Sequence, residues 1–242
     1  MRKTVTIGLV GILLAGTAAL AQAQTAKDIL DKMIEAQGGR KALEAIKDTT
    51  SVGGMEMVQM GMNGSITMSQ KEPNKMRMDI EVMGMVITQA YDGEKAWFTN
   101  PQTGSTEEMP GKQAEDMRRQ ALGNDAALNP DKYGITYTFK GKEKIGDKEY
   151  FVLEQAFKEG SATTIYVDPA TYLPYKSRTQ TTDMMGADIL AESIFEDYKK
   201  VGETVVSHKM IIYQNGAEFA RMAFTSVSYN TGIEDSFFKM TK

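Results

Sequence analysis

The chain has 242 residues, 41 % apolar and 25 % charged, with 22 Gly, 6 Pro and no Cys, a balance that fits one β-rich globular domain and excludes a disordered tail or a collagen-like fibre. Without cysteine there is no disulfide framework, thiolate metal site or cysteine nucleophile, and the single histidine, His208, leaves no second imidazole for a His-based metal cluster. The net charge of −4 argues against nucleic acid as a partner.

The N-terminus reads as a signal peptide spanning residues 1–23. Arg2 and Lys3 precede an apolar run from Val5 to Leu20, and Ala21-Gln22-Ala23 supplies an A-x-A cleavage site. Its removal, with two cations, leaves 219 residues (24–242) and shifts the net charge from −4 to −6. No cysteine follows the apolar run to carry a lipid anchor, and no later run reaches the roughly 18 apolar residues of a membrane helix. The expectation is a soluble monomer outside the cytoplasm.

Next come two short helices. Ala26, Ile29, Leu30, Met33 and Ile34 recur at helical spacing, Gly38-Gly39 breaks the pattern, and Ala42, Leu43, Ala45 and Ile46 mark the second. From about Ser51 the period changes to two, as in a large antiparallel sheet. Asn63-Gly64 reads as a hairpin turn, which sets Glu56 opposite Lys71 and groups Met55, Met57, Ile66 and Met68 on one face. A second turn at Met83-Gly84 puts Met76, Met78, Ile80, Val82, Met85, Ile87 and Tyr91 on one face, leaving Lys75, Arg77, Asp79 and Glu81 on a solvated one. Thr106 to Asn124 reads as a helix that buries its apolar stripe against the sheet. Further turns fall at Asp92-Gly93, Gly146-Asp147, Glu159-Gly160, Gly202-Glu203 and Asn215-Gly216. There is no long linker, and a single domain is expected.

Gln37-Gly38-Gly39 with Leu43 and Ile46, then Lys71-x-Pro73-Asn74-Lys75-x-Arg77, Tyr91-Asp92-Gly93-x-x-Ala96-Trp97 leading to Pro101, and Tyr166-Val167-Asp168-x-x-Thr171-x-Leu173-Pro174 resemble the outer-membrane lipoprotein-sorting proteins of the LolA-like superfamily. The resemblance spans nearly the whole mature chain. It implies a mainly β fold, a half-open antiparallel barrel with short helices on its concave side, and a periplasmic carrier of lipid or lipoprotein acyl chains. An inner- or outer-membrane protein is a candidate partner, and no cofactor and no enzymatic turnover are expected, because the sequence carries no catalytic motif. The superfamily includes cavity-bearing sensors, so an envelope-stress sensor that binds a lipidated ligand is the alternative.

The 18 methionines are the unusual feature, nine of them between Met55 and Met85. Three readings stand open. Methionine fills irregular core gaps, it can line an adaptable lipid cavity, and Met-x-Met pairs on a strand could hold Cu(I), although the pattern spreads them along a face among mostly aliphatic partners. The candidate lipid-binding face comprises Met55, Met57, Ile66, Met68, Met76, Met78, Ile80, Val82, Met85 and Ile87, with Trp97 at its edge. His208 reads as a partly buried side chain with one hydrogen bond. Asp79, Glu81, Asp92 and Glu94 read as solvated carboxylates. No nucleophile elbow, phosphate loop or metalloprotease helix is present.

Overall fold

A computed structural model of the protein describes residues 24–183 and 186–240; the expected signal peptide, residues 1–23, lies outside them. Helix α1 (Ala26–Ala36) starts where Thr25 and Asp28 cap each other reciprocally: Asp28 N donates to Thr25 Oγ1 at 3.1 Å and Thr25 N to Asp28 Oδ2 at 3.0 Å. It buries Ile29, Leu30, Met33 and Ile34. The chain then turns at Gly38 (φ +121°), where a Cβ would lie 2.5 Å from the Glu203 carbonyl oxygen, so only glycine fits. Helix α2 (Arg40–Ala45) follows.

The remainder builds two antiparallel meanders in one sheet. The first contains β1 (Asp48–Met57), β2 (Met62–Lys71), β3 (Lys75–Val82), β4 (Met85–Tyr91), β5 (Ala96–Thr99) and β6 (Thr106–Glu108). The second contains β7 (Thr136–Ile145), β8 (Lys148–Ala156), β9 (Thr163–Val167), β10 (Pro174–Thr182), β11 (Asp188–Val201), β12 (Thr204–Gln214) and β13 (Ala217–Tyr229). The sheet order is β6-β5-β4-β3-β2-β1-β13-β12-β11-β10-β9-β8-β7, so β1 and β13 join the meanders while β6 and β7 form opposite edges. The expected mainly β, half-open sheet is what is found.

The link from β6 to β7 must pass from one edge to the other, and it carries α3 (Gly111–Gln120) and α4 (Asn124–Leu128). Helix α3 contacts β4 and β5 at one end of the strand order and β10 near the other. Laid flat, β4 and β10 would stand about 34 Å apart at seven strand spacings. A ten-residue helix is only about 15 Å long. The sheet therefore curls until both sides reach the helix, and α3 is a chord across the arc. Met117 and Ala121 pack on Met76, Tyr91 and Ala96, while Asp116 accepts from Thr181 Oγ1 and Thr182 N, each at 2.9 Å. Helix α1 makes a second chord. Ile29 and Met33 pack on Phe151, Leu153 and Val167, and Gln37 O accepts from Val205 N on β12 at 3.1 Å.

Three readings from sequence are corrected here. Asn63-Gly64 is not a turn but lies inside β2. The hairpin closes at Val58–Met60 and Gly61 (φ +61°), so Glu56 stands opposite Asn63 rather than Lys71. Gly64 serves close strand approach, because a Cβ there would run into the Glu81 carbonyl oxygen. The expected Thr106 to Asn124 helix is β6, then Pro110 as the cap of α3, then α3 itself. Pro110 cannot donate within a helix and marks where this one begins.

The face of Lys75, Arg77 and Asp79 is also not simply solvated. Residues 231–238 strap back across the convex side, and Phe238 is fully buried there. Ser69, Arg77, Ala90 and Trp97 form one cross-strand row beneath it. Trp97 Nε1 donates to Phe238 O at 2.8 Å, and Arg77 donates to Phe237 O at 2.9 Å with its guanidinium 4.5 Å from the Phe237 ring centroid. Buried Asp48 anchors the start of the strap, accepting from Thr231 N (2.7 Å), Thr231 Oγ1 (2.9 Å) and Gly232 N (3.0 Å). Burial pushes the Asp48 pKa up, but these donors outweigh it and hold the carboxyl below its usual range. Asp235, bonded by Lys71 and Lys75, is pulled down to about 2.

Candidate functional site

The registers decide which side chains share the concave face. Ile80 stands opposite Ile66 and Ile87, Met78 opposite Met68, Val82 opposite Met85, and Met76 opposite Tyr91. Directly opposed residues project to the same side of a sheet. Across the joint between meanders, Met55 is opposite Met222 and Met57 opposite Ala220; Met222 is in turn opposite Met210. Met55, Ile66, Ile80, Ala220, Met222 and Phe224 form a buried cluster, with Met57, Met68, Met78, Met210 and Ile212 half-buried around it.

Ten of the expected site residues thus occupy the concave side, in an order that sequence had grouped by face. Ile66 is fully buried at the centre, and Met85 is 53 % exposed at the hairpin end of β3 and β4. Trp97 is the exception. It pairs with Ala90, in the row of Arg77, and therefore belongs to the convex side, 3 % exposed beneath the strap. Its placement at the edge of the methionine face is corrected. The expectation that the methionines have mostly aliphatic strand partners also fails at Met68–Met78 and Met55–Met222. Met210, Ile212, Met222 and Phe224 complete the wall and were not in the expected set. Only the β1–β13 pairing brings them there, and a contact between chain ends leaves no local signal.

All these strands lie between β4 and β10 in the order, so the methionine wall faces inward under the α3 chord. By contrast, α1 packs on the inner residues of β8 and β9, which it turns into core. The wall is crossed by a helix and not carpeted by one. His208, 7 % exposed, has its Nδ1 3.1 Å from the Val206 carbonyl oxygen, the single expected hydrogen bond. Asp79, paired with Arg77 at 2.9 Å and accepting from Thr88 Oγ1 at 2.5 Å, is half-buried under the strap. Among the described residues there is no cluster of three His, Cys, Asp or Glu side chains that could hold a metal ion, and no helix long and apolar enough to cross a membrane.

Two small cavities flank α3. One, of about 220 Å³, is lined by Tyr91, Lys95, Met109 and Arg118; the other, of about 140 Å³, lies at the β10 end. Both are below the roughly 300–1,000 Å³ of an ordinary ligand pocket. Along the wall itself Met57, Met68, Met78 and Met210 pack against the buried cluster, and unbranched, flexible thioethers can repack when something displaces them.

This curled open sheet with helical chords recurs in known structures. A LolA superfamily protein from Nitrosomonas europaea is 15 % identical over 90 % of this chain and 99 % of its own, with a TM-score of 0.60. The chain has the LolA fold. An outer membrane lipoprotein-sorting protein domain from Vibrio parahaemolyticus superposes with a TM-score of 0.58 at 16 % identity, over 88 % of this chain and 97 % of that one. A DUF1329 family protein from Desulfovibrio piger shares the LolA fold at a TM-score of 0.56 and 17 % identity, with the same coverage. No family model and no curated protein matches the sequence.

Proposed function

We propose that this protein is a periplasmic carrier that holds lipoprotein acyl chains, or those of a related lipid, against the methionine wall and moves them between envelope membranes without catalytic turnover. The observation that carries this reading is the wall: a contiguous apolar surface on the concave side of a LolA fold, buried at its centre, half-buried around it, and crossed by α3 at its Met76 end. Taking an acyl chain of about sixteen carbons into water costs roughly 12 kcal/mol at about 0.8 kcal/mol per CH₂. A carrier therefore needs a long apolar surface, and it also needs one that closes when empty, because an unfilled cavity is destabilising. Methionines on facing strands meet both demands. The lipoprotein-sorting proteins that share the fold support the choice of cargo.

The test is native mass spectrometry of protein recovered from the periplasm, with uptake of a fluorescent fatty acid measured in parallel. Bound lipid and uptake are expected. Folded Met78→Gln and Ile80→Gln variants place a polar group on the wall, and each should weaken uptake by at least about tenfold, equivalent to about 1.4 kcal/mol. Unliganded protein that takes up no fatty acid would overturn the proposal.

A further inference from the structure

The 140 Å³ cavity at the β10 foot of α3 is polar, unlike the wall beside it. Gln155, Thr163 and Thr179 line it from one cross-strand row of β8, β9 and β10, with Thr181 and, from α3, Asp116 and Arg119. Asp116 is fully engaged: Oδ2 accepts from Thr181 Oγ1, Thr182 N and Thr182 Oγ1 at 2.9 Å each, and Oδ1 accepts from Arg119 Nη2. Arg119 is not. Its side chain is 10 % exposed, yet its buried Nη1 has no hydrogen-bond acceptor among the described residues; Glu115 Oε1, at 3.8 Å, is too distant. The guanidinium is held in place over the Phe157 ring, 6.0 Å from its centroid, in space kept clear by Gly160 (φ +94°).

A buried charged donor without an acceptor is costly, so the site is built for an acceptor from outside the chain. Asp116 already neutralises the guanidinium, and Glu115 lies beside it, so a second full negative charge would meet two carboxylates. A neutral carbonyl suits the free N–H, and the threonine hydroxyls and glutamine amides can serve its polar neighbours. The volume admits only the polar end of a larger molecule. The wall begins close by: Ser177, next to Thr179 on the same face, is opposite Ser193, which is opposite Ile212, two strands or about 10 Å away.

We infer that this cavity receives the ester carbonyl of an acylglycerol-type lipid through Arg119, with the acyl chain running from there along the methionine wall. The inference rests on the carrier reading and deepens it. The probes are a monoacylglycerol and its alkyl-ether analogue, which lacks only the carbonyl, with a free fatty acid as the anionic arm. Each is measured by displacement of a polarity-sensitive dye from the mature protein. The ester should bind at least tenfold more tightly than the ether. Arg119→Lys, which keeps a cation for Asp116 but loses the second arm of the fork, should abolish that preference. Equal binding of ester and ether by the unmodified protein would overturn the inference while the carrier reading stands, and this comparison does not depend on the variant folding. A fatty acid preferred over both, with its advantage lost in Arg119→Lys, would overturn the neutral-carbonyl assignment in favour of an anion site. Failure of all three probes to displace dye would overturn the carrier reading and this inference together.

Discussion

The two meanders share one sheet, but they are covered differently. In the second, α1 packs onto the concave faces of β8 and β9, and Ile29, Leu153 and Val167 are wholly buried between helix and sheet. In the first, α3 covers the concave side at Met76, Tyr91 and Ala96, and the convex side carries a cover of its own, the C-terminal strap, whose buried Phe238 accepts from Trp97 through its carbonyl oxygen. The difference shows that one sheet can be packed by different covers along its length. Where the concave side is packed as core, the helices supply the hydrophobic burial that folding requires. Along the first meander the strap adds burial on the outside, and the inner wall around its buried centre is left to half-buried, adaptable side chains.

The comparison can be broken most sharply by truncating one residue on each side. Phe151→Ala removes a ring packed under α1 and should cost about 3–5 kcal/mol, seen as a fall of about 6–20 °C in Tm, with fatty-acid uptake retained below that temperature. Met78→Ala on the half-buried wall should cost clearly less. Equal losses from the two, followed by thermal melting, would mean that the wall is ordinary core.

Acid sharpens the comparison from the convex side. The Asp48 and Asp235 carboxyls are both held below the ordinary value of 3.8, so their contribution is complete above that pH and is lost as pH falls through the lowered values, about 2 for Asp235. The strap should therefore loosen between about pH 4 and pH 2. Trp97, the sole tryptophan, reports it directly through its bond to Phe238, so its emission should shift to the red in that interval. Asp235→Asn, which removes the charge held between Lys71 and Lys75, should weaken the strap already at neutral pH. A Trp97 signal that is constant to pH 2 would show that the strap is held by Phe238 alone.

The smallest effect is expected from replacing Met55, Met57, Met76 and Met78 together with Leu. The swap keeps volume and apolarity while removing sulfur, so fatty-acid uptake should persist with a modest loss of stability. An anaerobic Cu(I) titration against a competing chelator checks the sulfur itself. Tight one-to-one binding that disappears in the leucine variant would make the wall a thioether metal site and not a lipid surface.

Much of this arrangement was legible in the residues because hairpin turns are chemically explicit. Met83-Gly84 and Asn215-Gly216 both adopt positive φ at the two central positions, the conformation that joins adjacent strands through two residues. Asn63-Gly64 carries the same signal for another reason, since Gly64 is there to let β3 approach. The resulting register was displaced by eight positions, an even number, so Met55, Met57, Ile66 and Met68 stayed on their proper face. Trp97 could not be placed in this way, because its face depends on the Asp92 to Lys95 connection and on pairing with Ala90. Phe238 and Met222 were illegible for a related reason: their partners are set by the closure of the whole sheet.

That closure has a kinetic consequence. Within each meander, neighbouring strands are joined by short connections, so hairpins can zip up locally one after another. The joint between β1 and β13 is different, for Thr49 pairs with Tyr229 from far along the chain. Bringing such distant segments together incurs the loop-closure entropy of most of the polypeptide before any contact repays it, and long-range pairing of this kind slows folding. The methionine wall is laid across this joint, with Met55 against Met222, so this surface is complete only once the two ends of the sheet's chain have paired. A chain with its halves unjoined has no such wall, and formation of this surface is thereby tied to completion of the fold.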